Sequence, residues 1–348
     1  MTYCTLFYSN YLDKALVMVD SLIGQDSSAK IYILCMDEKA YDILNSINKQ
    51  HIILLKLDTF EDDVLREAKK TRSRGEYCWT CTAKLIQHII IKYKEEMCTY
   101  VDSDLYFYSN PSVLIEEMKK ANCTVQVIKH NFPNTFQGRK LERVSGKICV
   151  QFNTFCNESR SMALLQQWID SCIEKCSVES AGDQLYLSDW DKYDFVNVST
   201  NIGAGVAPWN IQKFICIEEN NKKYVIDRKT KVRNELIFYH FQNVVNNRRY
   251  IVSILPLLSY WKIDKKFVYS IYLPYLKVLE MYKNSIEKEF DFLPIVYEYI
   301  TDSAPRQNYL KRIIRHPIKS IPEITHRFSL FVLKIVRKKR AYINLETI

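Results

Sequence analysis

Apolar residues in the first third of the chain fall into short runs separated by segments of helical period. Residues 3–8, Tyr-Cys-Thr-Leu-Phe-Tyr, form one run that stops at Ser9-Asn10-Tyr11. Leu12, Ala15, Leu16, Val19 and Leu22 then recur on one face of a helix. A second run, Lys30–Met36, stops at Asp37; a helical stretch covers 38–48 and a third run covers 51–57. This strand–helix alternation, at about 20 to 25 residues per unit, predicts an open α/β sheet. Short and fully apolar strands suit parallel pairing with both faces covered.

The pattern continues with a polar helical stretch over 62–71, a loop over Arg72–Tyr77 and a helix from Thr80 to Tyr93. Thr99–Tyr108 reads as a buried strand, Ser112–Ala121 as a helix and Asn122–Lys129 as a strand. The polar segment His130–Lys147, with Pro133 and Gly138, reads as a mobile loop. Ile148–Cys156 is a strand, and a helix over Ser159–Cys176 is capped by Asn157 or Ser159. Residues 223–227 and 229–233 suggest a hairpin, and Glu235–His240 runs back toward the core. Past about residue 250 the pattern turns helical.

Composition keeps the chain in the globular class: 348 residues with 47% hydrophobic and 26% charged side chains allow one large domain with an appendage, or two domains. The start, Met1-Thr-Tyr-Cys-Thr-Leu-Phe-Tyr, has neither the basic nor the long apolar stretch of a signal peptide and reads as a first strand. No apolar run approaches the roughly 20 residues that span a bilayer. Eleven cysteines in that setting are expected to be reduced thiols of a cytosolic protein. Cys78 and Cys81, and Cys172 and Cys176, have suggestive spacings, but no Cys/His set completes a zinc site. The net charge is +9, and residues 306–340 alone hold eleven Lys/Arg against Glu323, a local +10, so the rest of the chain is close to neutral.

The candidate chemistry sits in Thr99-Tyr-Val-Asp-Ser-Asp-Leu-Tyr-Phe-Tyr108. On a regular strand Asp102 and Asp104 point to the same face. At a strand end of an α/β sheet, such a pair suits a hard divalent cation that bridges diphosphate oxygens. Taken alone, Asp-x-Asp is more often a turn or a solvated loop.

An ordered series of further residues resembles nucleotide-sugar-dependent glycosyltransferases of the GT-A fold, most nearly bacterial relatives of glycosyltransferase family 8. The series runs from Ser9-Asn10-Tyr11 through Thr80-Cys-Thr-Ala-Lys84 and Asp102-Ser103-Asp104 to Phe152-Asn153-Thr154, Gly182-Asp183-Gln184 and Phe238-Tyr-His240-Phe-Gln242. It covers roughly residues 1–245. The resemblance implies a Rossmann-like mixed sheet with helices on both faces, followed by a basic helical C-terminal extension. Residues 1–250 would form the catalytic domain and 251–348 the extension.

By the same resemblance, Tyr11 stacks on a uracil that Asn10 helps to read. Asp102, Asp104 and His240 hold Mn²⁺ or Mg²⁺, and Ser103, Lys84 and Arg72 contact the donor. Arg74, Arg248 and Arg249 are further cations placed to meet a diphosphate. Asn153, Asp183 and Gln184 face the reacting sugar. The implied activity is transfer from a UDP-sugar to a glycan or lipid-linked glycan, with retention, in bacterial surface-polysaccharide or lipopolysaccharide synthesis. The basic amphipathic tail over 306–340 suits the anionic inner face of the cytoplasmic membrane. The alternative is a catalytically silent α/β scaffold that binds membrane or nucleic acid through that tail. No nucleic-acid-binding motif accompanies the tail, so nucleic acid is not expected as a partner.

Overall fold

The computed structural model describes residues 1–178, 182–242, 244–247, 250–253, 268–294 and 342–343. The chain divides into two compact units, Met1–Gln242 with Lys262–Pro294, and Asn243–Trp261 with Ile295–Ile348.

The first unit begins with the predicted alternation: β1 (Thr2–Phe7), α1 (Leu12–Gln25), β2 (Lys30–Cys35), α2 (Glu38–Ile47) and β3 (Ile52–Lys56). Asp37 ends the second strand because its carboxylate accepts from Ala40 N–H and caps α2. Asn48 closes the same helix in the left-handed conformation. Short α3 (Leu57–Phe60) and α4 (Asp63–Lys69) lead to α5 (Arg74–Lys92). The long helix starts two turns earlier than the expected Thr80. Ser73 and Glu76 form a reciprocal capping box that draws Arg74–Tyr77 into its first turn.

Then come β4 (Met97–Val101), β5 (Leu105–Phe107), α6 (Ser112–Lys120), β6 (Val125–Lys129), α7 (Phe136–Ser145), β7 (Ile148–Cys156), α8 (Ser159–Glu174) and β8 (Val196–Val198). The expected mobile loop over 130–147 therefore contains a helix, α7, whose N-terminus is capped by Thr135. Neither Asn157 nor Ser159 caps α8; Glu158 stands at that position without a side-chain cap.

Seven strands form one sheet in the order β3-β2-β1-β4-β7-β6-β8. Pairing is parallel from β3 to β4 and antiparallel on both sides of β7. The parallel pairing that the short apolar strands suit holds from β3 to β4, and antiparallel β7 makes the whole the mixed, helix-covered sheet that the GT-A resemblance implies. One face packs α5 and α8 through Leu85, Ile86, Ile89, Leu165 and Trp168. The other packs α1 through Leu12, Leu16, Val19 and Leu22. Burial of both faces explains why these strands read as continuous apolar runs.

The remaining strands are β9 (Phe214–Glu219), β10 (Lys222–Asp227), β11 (Arg233–Glu235) and β12 (Phe238–His240). The expected hairpin is shifted: β10 pairs with β9 through a turn in which Asn220 and Asn221 both take positive φ, and β11 completes a three-stranded sheet. β12 pairs antiparallel with β5. Helix α9 (Leu273–Phe290) belongs to this first unit and packs on α1. In the second unit, β13 (Val244–Asn247), β14 (Tyr250–Ser253) and β15 (Tyr342–Ile343) form an antiparallel sheet. The basic tail over 306–340, and Arg248 and Arg249, lie outside the described residues.

Candidate metal and donor site

β4 ends at Val101, so Asp102, Ser103 and Asp104 occupy a turn between β4 and β5 rather than a continuing strand. The strand-alternation argument therefore does not bring the two carboxylates together. β12 does. Its register sets His240 opposite Leu105, and Phe241 N–H donates to Asp104 O at 2.9 Å. His240 Nε2 then lies 3.0 Å from Asp104 Oδ1 and 3.8 Å from Asp102 Oδ2. One ligand atom from each of the three residues falls within 4.8 Å of the others. Two hard carboxylates and an imidazole fit Mn²⁺ or Mg²⁺ by donor chemistry.

The other side of the imidazole is held as well. His240 Nδ1 lies 3.0 Å from Oε1 of Gln151, a fully buried residue of β7 whose backbone carbonyl accepts from Asp102 N–H at 3.1 Å. Trp209 meets the imidazole edge-on, with ring centroids 5.2 Å apart. Trp209 also meets His130 at 5.4 Å and donates from Nε1 to its carbonyl at 2.8 Å.

Titration follows from this enclosure. Burial pushes Asp102 up to about 7; the Asp104 charge adds to this and His240 opposes it. Burial would raise Asp104 too, but the charge and hydrogen bond of His240, with Lys14 nearby, hold it below the ordinary carboxylate range. Burial works against a charged His240, yet Asp104 more than compensates and raises it. Cation binding at such a cluster competes with protons, so its affinity depends on pH.

The sugar-facing candidates are also enclosed. Asn153 is fully buried, pairs in register with Tyr100, and leaves both polar atoms of its amide without a partner among the described residues. Asp183 is buried, with Oδ2 lacking a partner among the described residues; burial first, then the charges of Cys176 and Asp102, raise its carboxyl well above the usual range. Gln184 opens a single 3₁₀ turn, Gln184–Leu187, and Asp183 does not cap it with its side chain. Leaving a buried polar atom without a partner costs roughly 1–3 kcal/mol.

At the end of β1, Asn10 and Tyr11 lie half-buried in the turn Ser9–Tyr11, and Ser9 donates from Oγ to Asp37 at 2.9 Å. Arg74 lies over the neighbouring Tyr8 ring at 4.9 Å. Two expected donor contacts are engaged elsewhere. Lys84 forms an ion pair with Asp62 at 2.9 Å, and Arg72 donates to the Ile173 carbonyl at 3.1 Å, at the end of α8.

Sequence reading missed Lys14 and Gln151. Lys14 is buried, its ammonium lies 4.6 Å from the Tyr11 ring centre, and its charge acts on Asp104. The available signals were a lysine on a largely apolar helix and a buried-strand glutamine two residues before Asn153. All eleven cysteines are free thiols.

Fold and site together define an α/β protein in which two half-buried carboxylates and a buried imidazole form a cluster suited to a divalent cation. No family model matches the chain. It is similar to two uncharacterized proteins of Bacillus subtilis (strain 168). YfnD is 28% identical over 299 residues, covering 83% of this chain and 91% of YfnD. YfnF is 28% identical over 302 residues, covering 83% of this chain and 96% of YfnF. Among solved structures, galactosyltransferase LgtC in complex with donor and acceptor sugar analogs matches with a TM-score of 0.46 and 13% identity, over 86% of this chain and 98% of LgtC.

Proposed function

We propose that this protein is a metal-dependent glycosyltransferase. It moves a sugar from a UDP-sugar to a glycan or glycolipid acceptor of bacterial surface-polysaccharide or lipopolysaccharide synthesis, with retention of anomeric configuration. The observation that carries the proposal is the convergence of Asp102, Asp104 and His240 within 4.8 Å, together with the buried amide of Asn153 and the buried Oδ2 of Asp183, which have no hydrogen-bond partner among the described residues.

Asp102, Asp104 and His240 would hold Mn²⁺ or Mg²⁺, which supplies Lewis-acid stabilisation of the leaving diphosphate. Tyr11 offers its ring to the uracil, Asn10 reads the base edge, and Ser103 contacts the donor from the turn. Positive charge on the donor side comes from Lys14, because Lys84 and Arg72 are tied to Asp62 and to the end of α8. Asn153, Asp183 and Gln184 orient the donor sugar and stabilise charge developing at its anomeric carbon. Enclosure of this wall excludes water and strengthens each of those interactions. The tail over 306–340 adds contact with the anionic inner face of the cytoplasmic membrane.

The test is a donor screen that reads UDP release from common UDP-sugars with Mn²⁺ and with EDTA. Release from at least one donor, lost in EDTA, is expected. Release from none, or release that EDTA leaves unchanged, contradicts the proposal.

A further inference from the structure

Helix α7 stands apart from the other surface helices of the first unit. Its Phe136 is 77% exposed, the highest value for a large apolar side chain among the described residues, and Val144 is 58% exposed. At 3.6 residues per turn, Phe136, Arg139, Lys140, Arg143 and Val144 fall within an arc of about 140°. Arg139, Lys140 and Arg143 are exposed, and none forms an ion pair among the described residues. Glu142, the acid of this helix, falls outside the arc.

The opposite side of the helix is fixed. Gly138 faces inward, where an added Cβ would lie 1.8 Å from the Pro133 carbonyl oxygen, so only glycine allows this approach. Thr135 Oγ1 accepts from Gly138 N–H at 3.1 Å. At the other end, Gly146 takes φ +82°, and its carbonyl lies 3.0 Å from Nδ1 of His130. The basic-apolar arc is therefore turned outward by both anchors. His130 shares Trp209 with His240, which places the foot of α7 beside the candidate site.

We propose that the outer face of α7 docks on an anionic lipid bilayer, with Phe136 and Val144 entering the headgroup boundary and Arg139, Lys140 and Arg143 meeting lipid phosphates. Cations flanking exposed apolar side chains on one arc are the pattern of an interfacial helix. Phe136 and Val144 favour a bilayer over a soluble polyanion, because only the bilayer offers hydrocarbon to bury them. Docking here would bring a lipid-linked acceptor to the side of the site walled by Asp183 and Gln184. The contact is separate from the 306–340 tail and does not depend on the donor reading.

The experiment is co-sedimentation of the full chain with phosphatidylglycerol-containing vesicles and with pure phosphatidylcholine vesicles. Wild type is compared with the double variant Phe136→Ser/Val144→Ser and the triple variant Arg139→Gln/Lys140→Gln/Arg143→Gln. Each variant is expected to lose roughly tenfold or more in partitioning to the anionic vesicles. Hydrogen exchange of residues 136–145 is expected to slow when those vesicles are added to wild type. Thermal shift with UDP plus Mn²⁺ serves as a separate readout: a variant that keeps the wild-type shift is folded, and absence of the shift in wild type counts against the donor reading alone. Partitioning of both variants equal to wild type, with unchanged exchange over 136–145, overturns the docking proposal. So does binding of wild type to heparin without binding to anionic vesicles.

Discussion

Nδ1 of His240 meets Oε1 of Gln151 at 3.0 Å, so the nitrogen that faces Asp104 at 3.0 Å is Nε2. A carbonyl acceptor at Nδ1 keeps the proton on that nitrogen and leaves the Nε2 lone pair for a cation. Gln151→Leu removes the acceptor while keeping an apolar side chain of similar size. Its Mn²⁺ affinity is expected to fall by about 10- to 100-fold. Gln151→Glu, which still accepts from Nδ1, should bind at least as well as wild type. Titration calorimetry with Mn²⁺ alone reads both, and equal affinity in Gln151→Leu and wild type contradicts the orienting role.

Gly205 makes room for that glutamine. It sits at φ +74°, and a Cβ there would lie 2.7 Å from Gln151 Nε2 and 2.7 Å from Ile128 Cγ2. Gly205→Ala combines left-handed strain with two collisions and should destabilise the protein by about 1–3 kcal/mol. Urea unfolding followed by circular dichroism gives the value; an unchanged midpoint would show that the loop yields freely.

His130 makes acid stability a second probe of the site wall. Burial pushes its pKa from 6.5 down to about 3, with the nearby His240 charge acting in the same direction. The folded value lies below the unfolded one, so the unfolded chain takes up the proton first as pH falls. The stability contributed is complete above about pH 6.5 and is lost progressively toward pH 3. Between pH 6.5 and 5 the loss is about 2 kcal/mol. His88, lowered to about 4 chiefly by burial, adds to the acid loss but is common to wild type and variant. His130→Gln should therefore lose less stability than wild type between pH 7 and 5 in urea melts; equal losses contradict the assignment.

The sheet was legible because its inner strands are buried on both faces, so β1 and β2 stand out as apolar runs with little ambiguity. What local pattern could not supply was pairing. The antiparallel setting of β7 and the partnership of β12 with β5 are long-range choices, and the second of these assembles the site. Asp102-Ser103-Asp104 was visible as a motif, but the reason given for its convergence was strand alternation. The structure replaces that with a turn closed by His240. Capping explains two boundary differences: Ser73 with Glu76 extends α5, and Thr135 starts α7 in a segment whose Pro133 and Gly138 read as loop. In that segment Gly138 serves close packing rather than flexibility. Motif order also gives no sign that Lys84 pairs with Asp62 or that Arg72 donates to the Ile173 carbonyl, because those partners are set by tertiary packing.

In the proposed enzyme, Asp102, Asp104 and His240 form a cation site through which a uridine diphosphate binds. Titration calorimetry of UDP into wild type and Asp104→Ala, each with Mn²⁺ and each with EDTA, tests it most directly. UDP is expected to bind wild type with Mn²⁺, and at least roughly tenfold more weakly both in EDTA and in the variant. Equal UDP affinity in all four experiments would contradict it.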